Sequence, residues 1–138
     1  MAMDEVRSAV RVILVDGSGR TLLFRSVDDY WFTPGGGLDE GEDLEAAARR
    51  EVLEEVGLEF GSLGEPLGSE QIEFVFEGRR IVQFQTYFRV RLEGFHEVLS
   101  AGFTEEELRG VTAHRWWSRE EISATSELIY PAHLLDWL

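Results

Sequence analysis

Hydrophobic residues in this chain fall into short strand-like runs with one long helical interruption. Residues 5 to 15 (EVRSAVRVILV) are rich in β-branched side chains and partly alternate with polar ones, as a strand does. Asp16-Gly17-Ser18-Gly19 reads as a turn and residues 21 to 25 as the returning strand of a hairpin. After a polar connection at 27–29, the aromatic run 30–33 is a short strand that stops at Pro34. Pro34-Gly35-Gly36-Gly37 is expected to be an irregular bend, where the backbone takes φ > 0 or approaches a ligand closely. From about residue 42 to 56 the pattern is helical, with Asp39 or Gly41 near its start and Gly57 as its C′ residue. A glycine-punctuated loop covers 59–69. Runs at 70–76 and 80–90 flank Glu77-Gly78-Arg79 as a second hairpin. Residues 111 to 118 form another strand, Ser118 caps a helical turn at 119–122, and Pro131 opens a short helix over 132–138. The order hairpin, strand, helix, hairpin, strand, helix predicts an α/β domain with a mixed sheet flanked by helices, rather than a doubly wound parallel sheet. No repeat or linker divides the chain, so residues 1–138 are expected to be one domain, large enough for its own core.

Charge and composition narrow the functions. The net charge is −14, from 13 Lys+Arg against 27 Asp+Glu. Such a field repels nucleic-acid backbones and argues against a general DNA or RNA binder. It leaves room for a small phosphate substrate, because a bound metal can reverse the sign of a site. Every basic residue is arginine, which removes Schiff-base chemistry and a phosphate-loop lysine. The absence of cysteine removes disulfides, thiolate zinc sites and cysteine nucleophiles. The start MAMDEVRSAV has no basic segment followed by an apolar one, and no apolar run approaches the roughly 18 residues of a membrane helix. The expectation is a cytoplasmic protein with no membrane attachment.

The chemistry concentrates in residues 36 to 58. A glycine-rich loop leads into a helix carrying Glu51, Glu54 and Glu55. At about 100° per residue the three lie on one face, in an arc of roughly 100°. Bare, they repel each other by a few tenths of a kcal/mol per pair. A divalent cation among them removes the repulsion, and hard oxygen ligands suit Mg²⁺, with Mn²⁺ an alternative. The same residues also read as a solvated acidic face with an i,i+4 ladder, such as Arg50 with Glu54.

The spacing decides between these. The stretch resembles the Nudix box, G-x5-E-x7-R-E-U-x-E-E-x-G-U with U a bulky aliphatic residue. Gly36, Glu42, Arg50, Glu51, Val52, Glu54, Glu55, Gly57 and Leu58 fill every fixed position. Trp31, Pro34 and Gly35 before the box, and Arg115-Trp116-Trp117-Ser118 after it, also look like the family. The resemblance implies the Nudix α/β/α sandwich around a mixed sheet, and a hydrolase that cleaves the phosphoanhydride of a nucleoside diphosphate linked to another moiety. It implies that Glu51, Glu54 and Glu55 hold the metal, and that one of them, or a carboxylate from elsewhere, is the base toward water. Arg50 and Glu42 would hold the loop to the helix, Arg50 by orienting a catalytic carboxylate. By analogy with relatives, a homodimer is expected.

Other candidates are looser. The backbone at Gly36 and Gly37 can help hold phosphate. Arg7, Arg11 and Arg25, on the early strands, can grip a terminal phosphate or be surface charges. Trp31, with Tyr30, Phe32, Phe74 and Phe84, can stack on a base, although most aromatics of a small domain are core. Glu105, Glu106 and Glu107 precede the last long strand, where some relatives draw an extra base or ligand; an exposed loop is the competing reading. Markers of the NADH, ADP-ribose and dinucleoside-polyphosphate types are absent, so the default substrate is a nucleoside triphosphate or an ADP-sugar. A catalytically silent nucleotide-binding or sensor domain of the same fold is the main alternative. An isomerase of the isopentenyl-diphosphate type ranks last, because the box is intact and cysteine is missing.

Overall fold

The computed structural model describes residues 4–99 and 110–138. The elements are β1 (Glu5–Val15), β2 (Thr21–Ser26), β3 (Tyr30–Phe32), β4 (Gly35–Gly37), α1 (Leu44–Val56), β5 (Gly68–Phe76), β6 (Arg79–Arg91), β7 (Val111–Trp117), α2 (Arg119–Ala124) and β8 (Leu128–Tyr130). A 3-10 turn at Leu134–Trp137 follows. The strands form one mixed sheet in the order β5-β6-β1-β2-β3-β8, with β4 on β1 and β7 on β2. β1 runs parallel to β6 along its whole length, from Glu5↔Ile81 to Val15↔Arg91. This is the expected sandwich. α1 covers one face, while α2 and the C-terminal turn cover the other.

Strand alternation divides β1 between two cores. Val10, Val12 and Leu14 face α1 and pack with Ala47, Ala48, Val52 and Val56. Ile13 and Val15 face away and pack with Trp31, Trp117 and Leu134. The small side chains of Ala47 and Ala48 let α1 approach the sheet closely. Val52 and Val56 are fully buried there, each contributing about 1.5–3 kcal/mol over exposure.

Four local expectations needed revision, the last at the C-terminal tail. The expected β1–β2 hairpin pairs only at its mouth, Val15↔Thr21. Beyond that point another segment takes the edge of β1: Val12 N–H donates to Pro34 O at 2.9 Å. The triglycine stretch, expected to be irregular, is the three-residue strand β4, antiparallel to β1 at Ala9↔Gly37, Val10↔Gly36 and Arg11↔Gly35. Glycine is needed because β1 lies so close: a Cβ on Gly35 would fall 2.1 Å from Val10 O. Helix α1 starts at Leu44 and is capped by Asp43, whose carboxylate accepts from Ala46 N, instead of by Asp39 or Gly41. At its other end Gly57 closes the helix in the left-handed region, φ 76°, as expected.

The second hairpin forms as read. Glu77 and Gly78 both take positive φ, 52° and 75°, the two-residue turn that matches strand twist. Ser118 caps α2 in a reciprocal capping box with Glu121. The tail is a 3-10 turn instead of a helix over 132–138, and it is preceded by β8, parallel to β3, which periodicity did not reveal.

Candidate active site

The box assembles around one guanidinium. Arg50 Nε and Nη2 clasp Glu42 with two bonds of 2.8 and 2.9 Å. Nη2 also donates to Gly37 O at 3.0 Å. Nη1 donates to Glu51 at 2.9 Å and to Glu54 at 3.3 Å. One arginine thus ties the loop, the helix start and two acidic side chains together, and answers the repulsion expected of a bare acidic face. Glu42 also accepts from Asp39 N at 2.9 Å. Arg50 first, then that N–H, holds the Glu42 carboxyl at about 2. The carboxylates in turn push the Arg50 guanidinium further up.

Glu51 and Glu55 are the buried pair, 6% and 3% exposed. One helical turn apart, both point from α1 toward β4. Gly35 N donates to Glu55 Oε1 at 3.0 Å. Gly36 leaves room for Glu51: a Cβ there would fall 2.7 Å from Glu51 Oε1. Burial, then the hydrogen bond and the charge of Glu51, push the Glu55 carboxyl well above the usual range. The charge of Arg11 and the Gly35 N–H pull against that. Where two buried carboxyl groups share a site, one of them is raised in this way. They are hard oxygen donors, so the pair fits a divalent cation, which relieves the same repulsion.

The third expected ligand, Glu54, shares Arg50 Nη1 with Glu51 but is less buried. Glu54 lies at the helix surface, its side chain 35% exposed and ion-paired with Arg50. Among the described residues no three acidic or histidine side chains already converge as a metal site. Glu51 and Glu55 are brought together at β4, and Glu54 is joined to Glu51 through Arg50 Nη1.

Beside this pair opens a cleft of about 560 Å³, lined by Arg11, Tyr30, Phe32, Glu70, Gln85 and Tyr130 among others. Arg11 links the two regions: Nη1 donates to Thr33 O at 3.2 Å, Nε to Gln85 Oε1 at 3.0 Å, and its charge reaches Glu55. Tyr30 and Tyr130 meet edge to face with centroids 5.3 Å apart.

The looser candidates sort by strand parity and by position along the strand. Trp31 is core, 6% exposed and edge-on to Trp117 at 5.1 Å, so it does not present a stacking face; its neighbours Tyr30 and Phe32 do. Arg7 lies four residues before Arg11 on β1, outside the cleft, and pairs with Glu5 at 3.5 Å, near the Phe76 ring. Arg25 pairs with Asp29 at 2.9 Å. Neither lines the cleft. Glu105, Glu106 and Glu107 lie outside the described residues. Glu70, Gln85 and Tyr130 escaped the sequence reading. Only Arg11 carried a signal, as the single charge inside the buried run 9–15.

Comparisons agree with this architecture. A profile of the NUDIX domain matches residues 5–138. The chain is 32% identical over 111 residues to an RNA pyrophosphohydrolase of Wolbachia pipientis subsp. Culex pipiens, covering 73% of this chain and 68% of that one. It is 30% identical over 139 residues to an RNA pyrophosphohydrolase of Sphingopyxis alaskensis, covering 91% and 84%. In fold it matches a MutT NUDIX hydrolase from Burkholderia pseudomallei, with TM-score 0.69, 19% identity and 95% of each chain covered. It also matches the E. coli dihydroneopterin triphosphate pyrophosphohydrolase, with TM-score 0.61, 21% identity, and 85% and 84% covered. With an unbroken box built around Arg50 and a profile match that runs to the last residue, the chain belongs to the Nudix hydrolase family.

Proposed function

We propose that this hydrolase removes phosphate from the 5′-polyphosphate end of an RNA by cleaving a phosphoanhydride. The observation that carries this is the buried Glu51–Glu55 pair at β4, adjoining an aromatic cleft through Arg11. The two relatives compared above are named for RNA. Internal linkages of RNA are diesters, so a phosphoanhydride is present only at a polyphosphorylated 5′ end. A charge of −14 suits a protein that grips the terminal nucleotide and not the strand. That charge also favours the second reading, a free nucleoside triphosphate.

In this reading Glu51 and Glu55, with Glu54 turned inward, hold the metal. The metal supplies charge neutralisation on phosphate oxygens and an acidified water. The Gly35 N–H fixes the Glu55 carboxyl against β4. Arg50 fixes Glu51 and stays out of the reaction itself. Arg11 faces the polyphosphate as a fixed cation. Tyr30, Phe32 and Tyr130 take the base.

The test is product release from a 5′-triphosphorylated RNA oligonucleotide and from free nucleoside triphosphates, with Mg²⁺ and then Mn²⁺. The first reading expects kcat/KM on the RNA to exceed that on any free triphosphate. A higher value on free triphosphates selects the second. Nucleotide binding with no product from either substrate would revive the silent binding domain.

A further inference from the structure

The cleft wall opposite the aromatic rings is a polar row whose direction is forced. An ionised arginine has donors only, so Gln85 must turn its amide oxygen toward Arg11. That oxygen accepts from Arg11 Nε at 3.0 Å and from Gln83 Nε2 at 2.9 Å. The Gln85 amide nitrogen therefore faces the other way and donates to Glu70 Oε1 at 3.1 Å. Tyr87 OH donates to the same oxygen at 2.8 Å. Burial first, then Glu70, pushes the Tyr87 phenol up, so it remains a donor. Glu70 and Gln85 are cross-strand partners, and Tyr87 lies two residues along the same face, so β5 and β6 hold this carboxylate firmly. Both bonds end on Oε1, and Glu70 is part of the cleft lining.

We infer that Glu70 reads the nucleobase and selects guanine. This rests on the reading of the cleft as a nucleotide site. An acceptor-only carboxylate needs adjacent donors on the base edge. Guanine offers N1–H and the 2-amino group side by side. Adenine and cytosine each offer one amino group beside a ring nitrogen acceptor, which the carboxylate repels. Uracil offers one N–H between two carbonyls. A site built to bond a particular edge rejects analogues that leave its polar groups unpaired. Arg11 places the phosphates at the Glu55 end, and Tyr30 and Tyr130 give the ring a surface to lie on.

The experiment is equilibrium binding of guanosine, inosine, adenosine and uridine 5′-triphosphates carrying a methylene bridge between the α and β phosphorus atoms. A second methylene bridge between the β and γ phosphorus atoms leaves no anhydride to cleave, so the signal is independent of turnover. Guanosine should bind about tenfold or more tighter than adenosine and uridine, with inosine, which lacks the 2-amino group, between them. Glu70→Gln turns an amide donor toward the base and should erase the preference while the melting temperature holds. Tyr87→Phe should weaken the preference by loosening Oε1. Equal binding of all four bases, or a preference kept in Glu70→Gln, overturns the inference. So does a loss on 2′-deoxyguanosine as large as that on changing the base, which would assign Glu70 to the sugar. Failure of all four to bind would overturn the nucleotide-cleft reading itself, and this inference with it.

Discussion

The box and the cleft are neighbours built on opposite plans. The box occupies 23 consecutive positions, and its bonds join residues close in sequence: Arg50 reaches Glu51, Glu54, Glu42 and Gly37. The cleft draws Arg11, Phe32, Glu70, Gln85 and Tyr130 from five strands, and Arg11 and Gln85 are 74 residues apart. Reaction chemistry is local in the chain, whereas selectivity depends on the register of the sheet. A single change in the box should therefore be severe, and a single change in the cleft should be graded.

The severest expected case is Glu55→Gln. The amide keeps an acceptor for Gly35 N but cannot serve as a charged ligand or base. Turnover should fall by about 10²- to 10⁴-fold. Because Glu55 is a buried carboxyl pressed against Glu51, the variant should melt no lower than the native protein. A parallel loss of melting temperature would show that Glu55 is structural, and near-normal turnover would remove it from the mechanism.

The two glycines of β4 split the same contrast at adjacent residues. A Cβ on Gly35 meets Val10 O at 2.1 Å, with φ at +138°, so backbone must move. Gly35→Ala should cost about 3 kcal/mol of stability by denaturant titration. A Cβ on Gly36 first meets the Glu51 carboxyl, at 2.7 Å, which can swing aside. Gly36→Ala should keep its stability and lose about tenfold in kcat, since a misplaced catalytic group is costly. Equal effects of the two on stability would break this division.

The same contrast explains what could be read from sequence. Glu51, Glu54 and Glu55 were legible because helical geometry converts their spacing into one face. The location of the Glu54 carboxylate was not, because Arg50 competes for it. Trp31 was legible as aromatic and strand-borne, but its side of the sheet depends on β3 pairing with both β2 and β8, and β8 gave no periodic signal. Arg7 and Arg11 share a face of β1, and only the position of the cleft along that strand separates them. Glu70 looked like one more acidic residue until register placed it opposite Gln85.

On the cleft side, Tyr130→Ala should raise KM about fivefold and leave kcat near native, since a base-stacking aromatic is worth about 1–3 kcal/mol and this ring is half exposed. Its exposure also means that folding should not suffer. A fall in kcat at unchanged KM would place Tyr130 with the reacting groups instead of the base.

The smallest effect at neutral pH separates the loop clasp from both regions. Glu42 is held at about 2, against 4.5 for a free glutamate, by Arg50 first and then by Asp39 N–H. A carboxyl lowered on folding contributes stability that is complete above 4.5 and lost as pH falls toward about 2. Glu73 and Glu121 are lowered too, so acid unfolding alone does not identify the group. The comparison with Glu42→Gln does. At pH 7 the variant should melt below the native protein. As the pH drops through that window the native curve should descend toward the variant's, since only the native protein has this proton to gain. A gap in melting temperature that stays constant down to about pH 2 would mean that the Glu42 charge contributes nothing, and that Arg50 holds the loop through Gly37 O alone.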